Sequence, residues 1–290
     1  MTSFCGIELR HPVINGSGCF DAIAAERVFG AELLERFPFS AYVSKTITLR
    51  PREGNPPPRL WEAAAGLVNS IGLPNHGLEG YLEHDLPVLA RLPVPLITNV
   101  MGSSVEEFAE LVEALGDREA IAAIELNVSC PNVATGLDIG ADPRELELLL
   151  AELRPRSRKP LIVKLTPNTA DVAACAAGAQ AGGADAVSLI NTLRARPLWR
   201  GEPWLGGGGG GLSGPAIRTV ALAQVAAVAA AVTIPIVGMG GVASGGDARA
   251  MLDAGATLVA IGTESFRDPS SGARVAAELE ALFPQFASNG

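Results

Sequence analysis

Lysine is nearly absent from this chain. Its 290 residues include three, Lys45, Lys159 and Lys164, within 22 basic residues set against 31 acidic ones, for a formal charge of -9. No basic cluster stands out, so the surface needed to grip a phosphate backbone is missing, and nucleic acid is excluded as a partner. Cysteine is sparse too. Cys5, Cys19, Cys130 and Cys175 show neither a C-x-x-C pair nor Cys/His metal spacing, and no metal site is expected. The opening MTSFCGIELRHPV lacks the basic-then-apolar pattern of a secretion signal, and reduced thiols then suit a cytoplasmic protein. The longest uncharged stretch, 219–246, is no membrane span. Its first half is alanine-rich and helical, Pro235 interrupts it, and IPIVGMGG reads as a buried strand ending in glycines.

What is present is alternation. Short apolar runs at 12–15, 41–45, 96–100, 123–128, 161–166, 186–191, 234–238 and 258–262 are each followed by a helix candidate. Eight such units predict an α/β fold with a parallel sheet, specifically a single (β/α)8 barrel over residues 1–290; a doubly wound open sheet is the competing architecture. Two helix starts are explicit. Ser104 with Glu107 makes a capping box, and Asp142-Pro143 with Glu145 supplies a cap, a first-turn proline and an acidic first turn. The segments after strands 2 and 6, 46–74 and 193–211, exceed ordinary loop length and are expected to build or cover the active site.

Candidate chemistry gathers at the strand ends. Lys45 and Lys164 lie in apolar runs (AYVSKT, LIVKLT), and a lysine in a buried strand must direct its charge at something. Asn99, Asn127 and Asn191 each end a predicted strand, with Asn69, Asn75 and Asn132 nearby. Asparagine both donates and accepts, which suits a planar heterocycle with alternating C=O and N–H groups. Cys130 follows Asn127 in a Ser-Cys-Pro-Asn turn, placed for catalysis rather than packing. Gly240, Gly241, Gly262 and Thr263 end strands 7 and 8, the usual phosphate-holding loops of this barrel.

Taken together, SKTITLRPREGNPPPRLWE, NSIGLPN, ELNVSCPNV, GLSGPAI and GMGGV resemble the class 1 dihydroorotate dehydrogenases, most closely the 1B branch, over nearly the whole chain. The resemblance implies FMN in the barrel mouth and oxidation of (S)-dihydroorotate to orotate, a step of pyrimidine synthesis. It further implies a homodimer joined to an electron-transfer subunit carrying FAD and a 2Fe–2S cluster, forming a heterotetramer that passes electrons to NAD; the rival 1A behaviour uses fumarate directly. Cys130 matches the base that takes the C5 proton while hydride leaves C6. Lys45 matches a contact to both flavin and substrate. Asn69, Ser70, Ile71, Gly72, Leu73, Asn127, Asn132, Asn191 and Thr192 match substrate contacts. Ser17, Thr46, Asn99, Asn127, Lys164, Ile190 and Gly214 match flavin contacts, and Gly240, Gly241, Gly262 and Thr263 the flavin phosphate site. The chain departs from the family pattern at Asn15-Gly16-Ser17-Gly18, where alanine more usually precedes Ser-Gly, and in the Gly206–Gly211 tract, either a flexible cover or a linker. Two other readings stay open: a flavin barrel acting on another dihydropyrimidine, and a non-enzymatic phosphate-binding barrel.

Overall fold

A computed structural model describes residues 1–128 and 139–282. The chain opens with a hairpin, β1 (Thr2–Phe4) and β2 (Ile7–Leu9), and enters the sheet at β3 (Val13–Asn15). After α1 (Ala22–Phe29) and α2 (Ala31–Glu35) come β4 (Tyr42–Val43), the antiparallel pair β5 (Leu60–Ala63) and β6 (Gly66–Asn69), and the short helices α3 (Gly77–Gly80) and α4 (Leu86–Leu89). Regular alternation follows with β7 (Leu96–Val100), α5 (Val105–Gly116), β8 (Ile121–Asn127), α6 (Pro143–Leu153), β9 (Leu161–Lys164), α7 (Val172–Ala181) and β10 (Ala186–Leu189). Four short strands, β11 (Leu193–Ala195), β12 (Leu198–Trp199), β13 (Glu202–Pro203) and β14 (Gly210–Ser213), precede α8 (Arg218–Ala229). The described part ends with β15 (Ile236–Met239), α9 (Gly245–Asp253), β16 (Leu258–Ile261), α10 (Glu264–Arg267) and α11 (Ser271–Ala281).

Eight strands form one parallel sheet in the order β3-β16-β15-β10-β9-β8-β7-β4. Each lies on one of the eight expected runs, with ends shifted by up to two residues. The end strands β3 and β4 meet through a side chain rather than a ladder. Asn15 is wholly buried; its Nδ2 donates to the Val43 carbonyl and its Oδ1 accepts from the Val43 amide, both at 2.8 Å. The Asn15 amide therefore stands in for a peptide unit and closes the sheet into a (β/α)8 barrel. Ser40 adds a backbone bond to the Val13 carbonyl on the same seam.

The barrel interior has two chemical layers. Ile97, Ala123, Ile162 and Ala186 pack with Ile14, Val43 and Val237 as an apolar lower layer, and Phe4 and Leu9 of the N-terminal hairpin belong to the same cluster. Two residues further along each strand, on the same face, the sequence turns polar: Asn99, Glu125, Lys164 and Ser188. Helices cover the outside through a second core. In α5, Phe108, Leu111, Val112 and Leu115 are each at most 2% exposed, and burial of each such side chain contributes about 1.5–3 kcal/mol. The helix starts match expectation: Ser104 Oγ accepts from the Glu107 amide, and Asp142 Oδ1 from the amides of Arg144 and Glu145.

The segments 46–74 and 193–211 are more ordered than their sequence suggests. They supply a four-stranded antiparallel sheet of order β11-β14-β6-β5, with β12 and β13 as a separate hairpin. Part of the Gly206–Gly211 tract is strand rather than loop. Gly210 and Gly211 lie in β14, where Gly211 pairs with both Asn69 and Arg194. A β-carbon at Gly211 would collide with the Thr192 side chain, and one at Gly210 with the Asn69 carbonyl. Glycine is needed here for close approach of strands.

Candidate active site

The polar layer opens into a cavity of about 800 Å³ at the C-terminal ends of the strands, within the size range of small-molecule sites. Lys164 is its most informative wall residue. The side chain is 7% exposed and lines the cavity, and no hydrogen bond or ion pair holds its ammonium among the described residues. A buried cation without a protein partner calls for an anionic or electron-rich ligand. Burial pushes the nearby Cys19 thiol up, and the charge of Lys164 opposes that push. Lys45, two residues past the end of β4, lines the same cavity but is exposed, as a group meeting both ligand and solvent would be.

Beside the lysines stand amides and hydroxyls. Asn191 Nδ2 lies 3.5 Å from Asn127 Oδ1, so the two strand-end asparagines share one patch of wall. Asn191 Oδ1 also accepts from the Thr192 amide at 2.8 Å. Ser17 Oγ donates to the Ser44 carbonyl at 2.7 Å and meets Thr46 Oγ1 at 3.4 Å, tying the first loop to the second across the β3–β4 seam.

The roof is the 69–75 segment. Gly72 and Leu73 both have positive φ, +75° and +55°, and a β-carbon at Gly72 would strike Asn55. Asn75 braces this turn: its Oδ1 accepts from the amides of Thr48 and Gly77, and its Nδ2 donates to Leu73 O at 2.9 Å. Asn69, Ile71, Gly72 and Leu73 line the cavity. Ser70 does not; it is fully buried and accepts a 2.9 Å bond from Asn55 Nδ2, so its role is to hold the roof rather than to face the ligand.

At the far end, Gly214, Gly240, Gly241, Gly262 and Thr263 converge with Ile190 on the cavity. Gly240 and Gly241 take φ of +130° and +73°, conformations that glycine adopts without strain, and the missing side chains leave backbone exposed to a ligand. Asn99, expected to touch the flavin, is fully buried and does not line the cavity; its Oδ1 has no hydrogen-bond partner among the described residues. Cys130 and Asn132 lie outside the described residues. Reading the sequence for lysine and asparagine missed Asn15, Cys19, Ser44, Glu125 and Ser188. The signal for Glu125 was a lone carboxylate within an apolar strand.

Comparison with known proteins agrees with this geometry. A family model described as dihydroorotate dehydrogenase matches residues 1–283. The catalytic subunit named dihydroorotate dehydrogenase B (NAD(+)) of Citrifermentans bemidjiense is 42% identical over 281 residues, covering 95% of this chain and 90% of that one. The subunit of the same name from Alkaliphilus oremlandii is 43% identical over 284 residues, covering 97% and 92%. A relative from Solibacter usitatus, 42% identical over 281 residues and covering 96% and 91%, carries a provisional dihydroorotate dehydrogenase A (fumarate) name. With its full barrel, its lysine- and asparagine-walled cavity and a match of this extent, the chain belongs to the dihydroorotate dehydrogenase family.

Proposed function

We propose that this chain is a single-domain FMN enzyme that oxidises (S)-dihydroorotate to orotate for pyrimidine synthesis. The observation that carries the reading is Lys164, a largely buried side chain on the cavity wall whose ammonium has no partner among the described residues, together with bare glycine turns at the cavity's end. The residues fit FMN. Gly240, Gly241, Gly262 and Thr263 would hold the phosphate on backbone groups, Lys164 the flavin ring, and Ser17, Thr46, Ile190 and Gly214 its remaining edges. Bound FMN supplies a two-electron acceptor for hydride.

The chain's own groups supply the rest. Lys164 offers a positive charge in a water-poor wall, where it stabilises negative charge gained on reduction. Lys45, Asn127, Asn191 and Thr192 match the alternating carbonyls, amides and carboxylate of a dihydropyrimidine acid, with Asn69 to Leu73 as roof and Asn132 as a further contact. Cys130 takes the C5 proton. A thiol with an ordinary pKa near 8.5 favours this work in mildly alkaline solution. The proposed location is the cytoplasm, where Cys5, Cys19 and Cys175 would persist as free thiols; among the described residues no helix is long and apolar enough to cross a membrane.

The relatives' B (NAD(+)) catalytic-subunit names support a separate partner subunit; the sequence resemblance extends the proposal to a homodimer of this chain docked to a subunit carrying FAD and a 2Fe–2S cluster. The provisional A (fumarate) name of one relative keeps direct use of fumarate as the second reading. Protein purified without added cofactor should be yellow and release one FMN per chain on denaturation. Colourless protein that takes up no added FMN would contradict the reading.

A further inference from the structure

The turns after β15 and β16, which end the cavity, are tied to each other by one guanidinium. Gly240 and Gly241 lead to Ala243, and Gly262 and Thr263 lead to Glu264; all six residues line the cavity. A turn that bares its backbone through glycine has little of its own to fix it, so its order must come from neighbours. Arg274 on α11 lies outside the cavity lining, yet it reaches both turns. Its Nη1 donates to the Ala243 carbonyl at 3.1 Å and its Nη2 to Glu264 Oε1 at 2.8 Å. The same group donates to Asp268 Oδ2 at 2.9 Å and to Glu278 Oε1 at 3.0 Å, so four acceptors fix the planar fork. The partners extend the hold. Glu278 Oε2 accepts from the Gly245 amide at 2.6 Å. The Ala243 amide donates to Asp247 Oδ2 at 3.1 Å, and Asp247 Oδ1 accepts from Arg218 at 2.5 Å. The segment that follows Gly241 is therefore gripped at the N–H and C=O of Ala243 and at the N–H of Gly245. Glu264 is 8% exposed, and its pairing with Arg274 and Arg267 offsets a negative charge that would oppose an anion at this end.

We infer that Arg274 is a positioning residue that locks the two glycine turns into one preformed phosphate grip. The inference rests on the flavin reading and deepens it. A lone, partly exposed ion pair contributes little, but a guanidinium bound to four acceptors in one network holds a defined geometry. Backbone amides held in place before the ligand arrives lose less freedom on binding, and the phosphate gains what is saved. Arg274 thus governs affinity for the phosphate end of the ligand and leaves affinity for its ring alone.

The test titrates apo-protein with FMN and with riboflavin, which lacks the phosphate, and follows the ratio of their dissociation constants. Wild-type protein should prefer FMN by roughly 10²- to 10⁴-fold, the weight of one or two hydrogen bonds to a charged group. Arg274→Gln should shrink that preference by roughly 10- to 100-fold, as loss of an outer contact does at metal sites, with riboflavin affinity unchanged. Arg274→Lys separates position from charge. It keeps the positive charge but not the fork, so its preference should also fall below wild type. A lysine variant with the wild-type preference would mean that charge alone acts, and it overturns the inference. So does a glutamine variant that weakens both flavins equally, as a general loss of structure would, or one that weakens neither. Should Arg274→Gln not fold, the lysine variant decides by the same criterion. Wild-type protein that binds the two flavins equally also overturns the inference, whereas wild-type protein that binds neither overturns the flavin reading itself.

Discussion

Lys164 shows how far one residue can be read from sequence. A lysine inside LIVKLT had to face a ligand or a partner, and the largely buried side chain lines the cavity with no partner for its ammonium among the described residues. Replacing it with methionine should keep the packing and remove the charge. FMN affinity should fall by roughly 10- to 100-fold, the weight of a hydrogen bond to a charged group, and the flavin midpoint potential should drop because the reduced anion loses its cation. Flavin fluorescence titration and potentiometry would check both. For Cys130, substitution by alanine should slow flavin reduction by roughly 10²–10⁴-fold while leaving FMN bound, and serine should retain some rate shifted to higher pH. Wild-type rates in the alanine variant would show a packed thiol. Glu125 was equally legible by the logic applied to lysine, since a carboxylate in IAAIELNV also needs partners. Those partners, Asn99 and Ser188, come from strands 26 residues before it and 63 residues after it, and no local pattern links them.

At the scale of elements, apolar runs located all eight barrel strands because a buried parallel strand needs little beyond hydrophobic side chains. The runs could not show that 46–74 and 193–211 pair with each other. That pairing depends on Gly211 approaching Asn69 from 142 residues away, and a glycine tract reads as loop in isolation. Nor did they single out Asn15, whose role exists only once β3 and β4 are adjacent. Asn15→Leu should remove both partners of the Val43 peptide and destabilise the barrel by about 2–5 kcal/mol in denaturant unfolding. Wild-type stability would show that the seam closes without it. His11, just before β3, gives this region a pH dependence. Burial, helped by the charge of Arg10, lowers its pKa to about 4 from an ordinary 6.5. The unfolded chain therefore binds a proton between those values that the folded chain refuses. The resulting stability is present above pH 6.5 and is lost as pH falls towards 4. His11→Asn should flatten the acid limb of a stability–pH curve in that window.

For the whole molecule, eight regular units favoured closure over an open sheet, but periodicity is the same in both. The hydrogen bonds across the seam decide for the barrel. Closure brings strand ends far apart in sequence around one cavity, and assembles a site that the motifs only hinted at. The same enclosure limits where electrons can go. No dinucleotide fingerprint follows an early strand in this sequence, so the isolated chain should pass electrons from dihydroorotate to artificial dyes, and to NAD only with its partner subunit present. Rapid reoxidation of the reduced chain by NAD or fumarate alone would contradict that division of labour. The most direct test of the central claim is anaerobic mixing of the purified, FMN-loaded chain with (S)-dihydroorotate while the visible flavin band is recorded. The band should bleach, with one orotate formed per flavin; a band that persists at saturating dihydroorotate would contradict the account.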